Sequence, residues 1–188
     1  MNDVIQAAAE LQSICQSQDW QFCFIGGLAL QRWGEPRRTV DVDLSLFVGF
    51  GDEQRFCDLL LKHFIPRISE AAAFARDRRV LLLRSKKGVG LDVSLAALPY
   101  EAMVIDRSSY FVYPPDVNLR TCSAEDLIVL KAFAGRGQDW VDVEGIIVRQ
   151  SGKLDWNYIL EQLRPLAELK DAPGIVDQLE ARRIEFEQ

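Results

Sequence analysis

Asp41 and Asp43 stand one residue apart in Thr39-Val-Asp-Val-Asp-Leu-Ser-Leu-Phe47, and Gly26-Gly27 lies a short way upstream. In an extended strand alternate side chains point the same way, so both carboxylates project from one face while Val42, Leu44 and Leu46 project from the other. Carboxylates held this close repel each other unless protons or cations offset them. Mg²⁺, a hard cation that prefers carboxylate and phosphate oxygens, is the usual offset. Upstream, Phe22-Cys-Phe-Ile25 has the character of a short buried strand running into the glycine pair, and Leu28-Ala-Leu-Gln-Arg-Trp33 that of a helix. A glycine turn that feeds a helix start presents backbone N–H groups to an anion, and the helix dipole favours the same charge. A phosphate cradle beside metal-binding carboxylates is the chemistry of nucleotides.

Each feature alone has an ordinary structural reading: Gly-Gly is a turn, and Asp-x-Asp often marks an exposed strand edge. Together, on strand–turn–helix–strand, they resemble the signature of the nucleotidyltransferase superfamily (the DNA polymerase beta-like proteins). The run Gly26-Gly-Leu-Ala-Leu…Arg37-Arg-Thr-Val-Asp-Val-Asp-Leu44 looks closer still to the AbiEii/AbiGii toxin-type bacterial nucleotidyltransferases. Those carry Gly-Gly followed by Arg-x-Thr-x-Asp-x-Asp, and Arg37 and Thr39 hold the corresponding positions.

The superfamily pattern asks for a third carboxylate on a neighbouring strand. Gly90-Leu-Asp-Val-Ser-Leu-Ala96 alternates, placing Asp92 with Ser94 on one face and Leu91, Val93 and Leu95 on the other. Val80-Leu-Leu-Leu83 precedes it, with Lys86-Lys-Gly-Val-Gly90 as a hairpin turn between. Further on, Ser123-Ala-Glu-Asp126 has the spacing of a capping box and opens a helix that should end near Gly135. A second helix follows from Arg136-Gly-Gln-Asp-Trp-Val-Asp142. The family shows a comparable Lys…Arg-x-x-Asp-x-x-Asp pattern, matched here by Lys131, Arg136, Asp139 and Asp142. Lys131 lies in an apolar helix, where an unpaired ammonium is costly, so it requires an anionic partner. Asp139 and Asp142 are neighbours on one helix face, and they also suit a helix N-terminus on electrostatic grounds alone.

The resemblance implies a Mg²⁺-dependent enzyme that moves a nucleoside monophosphate from an NTP to an acceptor and releases pyrophosphate. It implies two Mg²⁺ ions held by Asp41, Asp43 and, for one of them, Asp92, which is also the expected proton acceptor. Gly26, Gly27 and Arg37 are expected to hold the triphosphate and Lys131 to neutralise it. Thr39, Arg136, Asp139 and Asp142 are expected in support. Implied partners are an NTP, an acceptor on tRNA or protein, and a cognate antitoxin. Two alternatives stay open: transfer to a small molecule of the aminoglycoside kind, and a non-catalytic module that binds a nucleotide or partner.

Composition narrows the field. At 188 residues the chain has room for one domain, or one plus a helical extension, with a real core. A net charge of −6 argues against broad non-specific DNA binding, which needs phosphate-neutralising lysines and arginines. Four scattered cysteines without a Cys-x-x-Cys pair, and a single histidine, His63, argue against a zinc site. No signal peptide or apolar stretch of about twenty residues is evident, giving the expectation of a cytoplasmic protein with reduced thiols and no membrane association.

The elements needed to position these residues point to an α/β (α+β) fold: a nucleotidyltransferase-type mixed sheet flanked by helices, with a C-terminal helical part. Residues 1–120 form the expected catalytic core and 121–188 the helical part. Helices are expected over Asp3–Gln16, capped by Asp3, over Glu53–Phe64, capped by Asp52, over Pro99–Asp106 and from Ser123 onward. Pro165 and Pro173-Gly174 should interrupt the tail. Strands are expected at Asp41–Val48, Val80–Arg84 and Leu91–Ala96, with Tyr110–Tyr113 at an edge. The cation-rich run Arg76–Lys87 reads either as a solvated strand edge or as a landing patch for a polyanion.

Overall fold

The computed structural model describes residues 2–187. They form two compact units, one comprising residues up to Leu28 together with Arg38–Cys122, the other Ala29–Arg37 together with the residues from Ser123 onward. The expected cut near residue 120 does not include the 29–37 segment, which belongs with the helices from Ser123 onward.

The first unit holds a seven-stranded mixed sheet among the described residues, in the order β3-β4-β5-β2-β1-β7-β6. The strands are β1 (Phe22–Phe24), β2 (Asp41–Phe47), β3 (Ile65–Pro66), β4 (Val80–Arg84), β5 (Gly90–Ala96), β6 (Ser109–Tyr113) and β7 (Val117–Thr121). β2 runs antiparallel to β1 and parallel to β5; β4 is antiparallel to β5. β6 is the outermost strand on its side, as expected for an edge. It forms a hairpin with β7, a strand that the pair Pro114-Pro115 concealed in the sequence. The same unit contains the helices α1 (Asn2–Ser17), α3 (Glu53–Leu60), α4 (Ala71–Arg78) and α5 (Pro99–Asp106), with the first turn of α2 (Gly26–Trp33).

Alternation decides which way each strand faces. Val42, Leu44 and Leu46 of β2 and Leu91, Val93 and Leu95 of β5 are fully buried, and they join Leu11 and Cys15 of α1, Leu60 of α3 and Leu81 and Leu83 of β4 in one core. Their neighbours Asp41, Asp43 and Asp92 are only half-buried, on the opposite face. The burial of some fifty apolar side chains among the described residues is what makes this half-exposed row of acids affordable.

Several local expectations are corrected. Asp3 lies within the first turn of α1 instead of capping it, and its carboxylate accepts from Lys87 Nζ at 3.0 Å. Asp52 occupies the N-cap of α3 without a capping bond and pairs with Arg55 instead. That helix ends at Leu60, so His63 follows it in a turn. Part of the cation-rich run belongs to α4, which the sequence pattern missed. The strand after it, β4, is interior, flanked by β3 and β5.

The second unit is helical: the remainder of α2, then α6 (Ala124–Ala134), α7 (Gly137–Arg149), α8 (Trp156–Leu169) and α9 (Gly174–Phe186). Ser123 caps α6 by accepting from the Asp126 N–H, and Gly135, at φ +70°, closes it in the left-handed conformation. The capping box closes differently from expectation. The Asp126 carboxylate accepts hydrogen bonds from the hydroxyls of Ser123 (2.6 Å) and Tyr158 (2.6 Å). Pro165 lies inside α8 and does not end it. Proline removes one ladder bond, and the buried residues Ile159, Leu163 and Ala167 carry the helix through. Residues 29–37 are tied to α7 at several points: Arg149 donates to the Gly34 carbonyl at 2.5 Å and Gln150 to that of Trp33 at 2.9 Å. No helix among the described residues is long and apolar enough to cross a membrane.

Candidate active site

The parallel pairing of β2 with β5 aligns Asp41 with Gly90 and Asp43 with Asp92. Partners across adjacent strands share a face, so the three carboxylates lie on one side of the sheet. Asp43 and Asp92 are side by side. Asp41 stands two residues along from Asp43, opposite a glycine that adds no side chain to crowd it.

Each acid has its own surroundings. The Asp41 carboxylate accepts from the Thr39 hydroxyl at 3.4 Å, and the same hydroxyl reaches the Asp41 carbonyl at 3.2 Å. Among the described residues no cation pairs with Asp41, so it is not locked into a structural salt bridge. Asp43 packs over the start of α2. A Cβ added to Gly26 would lie 2.1 Å from Asp43 Oδ2, and Gly26 has φ +58° besides. Glycine is therefore required there twice over, once for backbone conformation and once for space. A carboxylate at that place also lies at the favourable, positive end of a helix dipole.

Asp92 is ion-paired with Arg67, a residue absent from the sequence-derived set of candidates. Burial pushes the Asp92 carboxyl above its ordinary value, with Asp41 adding to that and Arg67 opposing it. Nothing local in the sequence marks Arg67. It follows the two-residue strand β3, and Pro66 reads as a helix terminator.

Gly27 makes room of another kind. A Cβ there would sit 2.3 Å from Thr39 Oγ1, and the strained conformation belongs to Gly26 alone. Gly27→Val should therefore force Thr39 away from Asp41, at an overpacking cost of about 1–3 kcal/mol. If the start of α2 holds a nucleotide's phosphates, as the resemblance implies, calorimetry should show NTP binding lost, with binding of Mg²⁺ alone less affected. Unchanged NTP affinity would remove this turn from the set of phosphate contacts.

In the second unit the structure brings together the remaining sequence-derived residues. Lys131 is only 6% exposed, and its ammonium donates to Asp139 Oδ1 at 3.2 Å and Asp142 Oδ2 at 2.6 Å. Arg37 grips Asp142 through two parallel bonds, Nε to Oδ1 at 2.9 Å and Nη2 to Oδ2 at 3.0 Å. Arg136 donates to Asp139 Oδ2 at 2.6 Å, and Gln138 to Asp142 Oδ1 at 3.0 Å. The anionic partner that Lys131 requires is thus a pair of aspartates on the following helix. The charges that the resemblance assigns to a triphosphate, those of Lys131 and Arg37, are engaged within this network.

Burial works to raise both aspartates, but hydrogen bonds from Arg136, Arg37 and Lys131, with the Lys131 charge, outweigh it and hold both carboxyls below their ordinary range. A depressed carboxyl stabilises the fold above its unfolded pKa of about 3.9, and that stability is lost as pH falls through the lower folded value. Thermal unfolding followed from pH 6 to pH 2.5 should show a steep fall below about pH 4. Asp139→Asn should flatten that fall while lowering stability at neutral pH. An unaltered acid profile would show that the network does not contribute to it.

Other reactive groups are quiet. All four cysteines are free and buried, and burial pushes the Cys15 thiol up to about 12 and Cys57 up to about 11, so neither is a thiolate near neutrality. Within the cation-rich run, Arg79 is held by Glu53 and the carbonyls of Gly49 and Leu95, and Lys87 by Asp3 and Gln6. Among the described residues no three His, Cys, Asp or Glu side chains converge into a ready-made metal cage. The row of Asp41, Asp43 and Asp92 supplies the all-oxygen donor set that suits a hard divalent cation, with the carboxylates turned toward separate partners.

No model of a known protein family and no curated protein sequence matches the chain. Among solved structures it is similar to an antigenic nucleotidyltransferase-like protein from Paracoccidioides brasiliensis, with a TM-score of 0.53 and 19% identity over 96% of this chain and 94% of that one. The fold is nucleotidyltransferase-like. Two structures of the antibiotic-resistance factor ANT(2'')-Ia align less closely. The solution structure gives a TM-score of 0.44 at 13% identity over 97% and 89% of the two chains. The complex with adenylyl-2''-tobramycin gives 0.47 at 14% over 97% and 98%. At those scores they carry no weight for this chain. The likeness extends to the nucleotidyltransferase fold and not to the AbiEii/AbiGii subgroup.

Proposed function

We propose that this chain is a divalent-metal-dependent nucleotidyltransferase, transferring a nucleoside monophosphate from an NTP to an acceptor hydroxyl or phosphate on RNA or protein. One observation carries the reading. Asp41, Asp43 and Asp92 share one sheet face, with Asp43 and Asp92 in register on adjacent parallel strands. Three half-buried acids in one patch are costly for a structural role, because like charges held close repel. Mg²⁺ bound there would supply positive charge against the α-phosphate and pyrophosphate. The donor chemistry of the three aspartates suits it.

The protein's own groups divide the remaining work. The Thr39 hydroxyl lies against Asp41, sharing its proton between the Asp41 carbonyl and carboxylate, and Gly26 leaves the space in which Asp43 sits. The N–H groups at the start of α2, which begins at Gly26 and Gly27, are the phosphate contacts of this reading. Asp92, with its carboxyl raised by burial, is the group placed to take the proton of an attacking hydroxyl. Lys131, Arg37, Arg136, Asp139 and Asp142 act as a positioning network for α6, α7 and the 29–37 segment.

Incubation with each α-labelled NTP, Mg²⁺ and either total RNA or a protein lysate tests the reading. Label should enter a macromolecule for at least one nucleotide, and chelation should abolish it. Absence of transfer with all four NTPs, together with no divalent-cation binding, would overturn it in favour of a non-catalytic module.

A further inference from the structure

We infer that Arg67 is the resident counter-ion of the carboxylate face, and that a divalent cation must displace it from Asp92 in order to bind there. The inference rests on the proposed metal role of Asp41, Asp43 and Asp92 and adds a competitor to it.

The sheet register puts Arg67 in the same lateral row as the acids. β3 pairs Ile65 with Arg84 and Pro66 with Leu83, and the Arg67 N–H donates to the Leu82 carbonyl at 3.0 Å. Leu82 pairs with Asp92, and Asp92 with Asp43. Arg67 therefore stands two strands from Asp92 on the carboxylate face, and its side chain reaches across Leu82 to bring Nη2 onto Asp92 Oδ1.

Gly90 leaves space for that reach. A Cβ at Gly90 would lie 3.3 Å from Arg67 Nη1, tighter than ordinary contact, but only 3.6 Å from Asp41 Cβ, which is ordinary contact. The guanidinium thus occupies a place cleared for it beside the acids.

The pair is built to exchange. Both side chains are 32% exposed, and exposed ion pairs are weak. Asp92 is the one hydrogen-bond partner of the Arg67 side chain among the described residues. The backbone of Arg67 is held separately by β4, so the guanidinium can swing away without breaking a ladder bond. While it sits on Asp92, one oxygen of that carboxylate is spent on a guanidinium whose positive charge stands against a cation's, so the two compete for Asp92. A cation then binds in proportion to the fraction of molecules in which Asp92 is released.

The test measures cation binding without nucleotide or acceptor. Mn²⁺ titrations by calorimetry or electron paramagnetic resonance would compare the unaltered protein with Asp43→Asn, Arg67→Gln and Gly90→Ala. Arg67→Gln should bind Mn²⁺ more tightly, on the order of 5-fold, the ceiling for release of an exposed ion pair. Gly90→Ala, whose Cβ would press on the guanidinium and loosen its seat on Asp92 while retaining its charge, should move affinity in the same direction by a smaller factor. It carries the test if Arg67→Gln fails to fold. Unchanged or weaker Mn²⁺ binding in the Arg67 variant would overturn the inference, provided that Asp43→Asn weakens binding. If Asp43→Asn leaves Mn²⁺ affinity intact, the metal role of the carboxylate face fails, and the inference fails with it.

Discussion

Asp43→Asn is expected to abolish nucleotidyl transfer while leaving the fold intact. Asparagine has the shape of aspartate, so it fits over Gly26 where a larger side chain would not. What it lacks is the charge beside Asp92, its register partner. Removing one preorganised charge-stabilising group costs on the order of 10²- to 10³-fold in rate, and a carboxylate that would hold the metal of the proposed reaction belongs at or beyond the upper end. In metal-free buffer the variant should unfold at the same or a higher temperature, because a repulsion among adjacent acids is relieved. The check is a labelled-NTP transfer assay alongside thermal unfolding with chelator. Near-normal turnover would sink the two-metal assignment.

Lys131→Ala should produce the largest loss of stability. Truncation leaves Asp139 with Arg136 alone and Asp142 with Arg37 and Gln138, both carboxylates being almost wholly buried. Breaking a buried pair from one side costs about 3–5 kcal/mol, because an under-compensated charge remains. At this chain length that lowers the unfolding temperature by roughly 6–20 °C. The same variant separates the two roles open to this lysine. If it positions helices, the folded fraction at low temperature should keep its NTP affinity. If it touches the triphosphate, affinity and rate should fall even where the protein is fully folded.

What could be read in advance follows from the range of the forces involved. Asp41, Asp43 and Asp92 were legible because a half-buried strand alternates, and alternation is written in consecutive residues. The apolar partners Val42, Leu44, Leu91 and Val93 are buried as that pattern requires. The end of α6 at Gly135 was legible for the same reason, a left-handed residue being a local demand. Arg67 was not, since its link to Asp92 depends on the pairing of β3 with β4 and of β4 with β5. The buried network lay in between. Its members could be named from the family pattern, but which cation meets which carboxylate is a property of packing. Arg37 shows the limit, because it sits in the nucleotide motif by sequence and on Asp142 by structure.

The discontinuous make-up of the helical unit bears on how the protein is made. Residues 29–37 leave the ribosome well before α7, the helix that holds them, and all of residues 38–122 are synthesised in between. At roughly 5–20 residues per second, Arg37, Gly34 and Glu35 wait for several seconds without Asp142, Ile146 and Gly145. Over that interval Leu30 has no Ile146 beside it. A fragment beginning at Ser123 would have the converse defect. It would contain four of the five charged residues of the network, but Asp142 would lack its two-pronged arginine. The C-terminal helices are therefore not a module that can be excised and studied alone. A domain swap or truncation designed at the apparent boundary would cut the unit's own wiring.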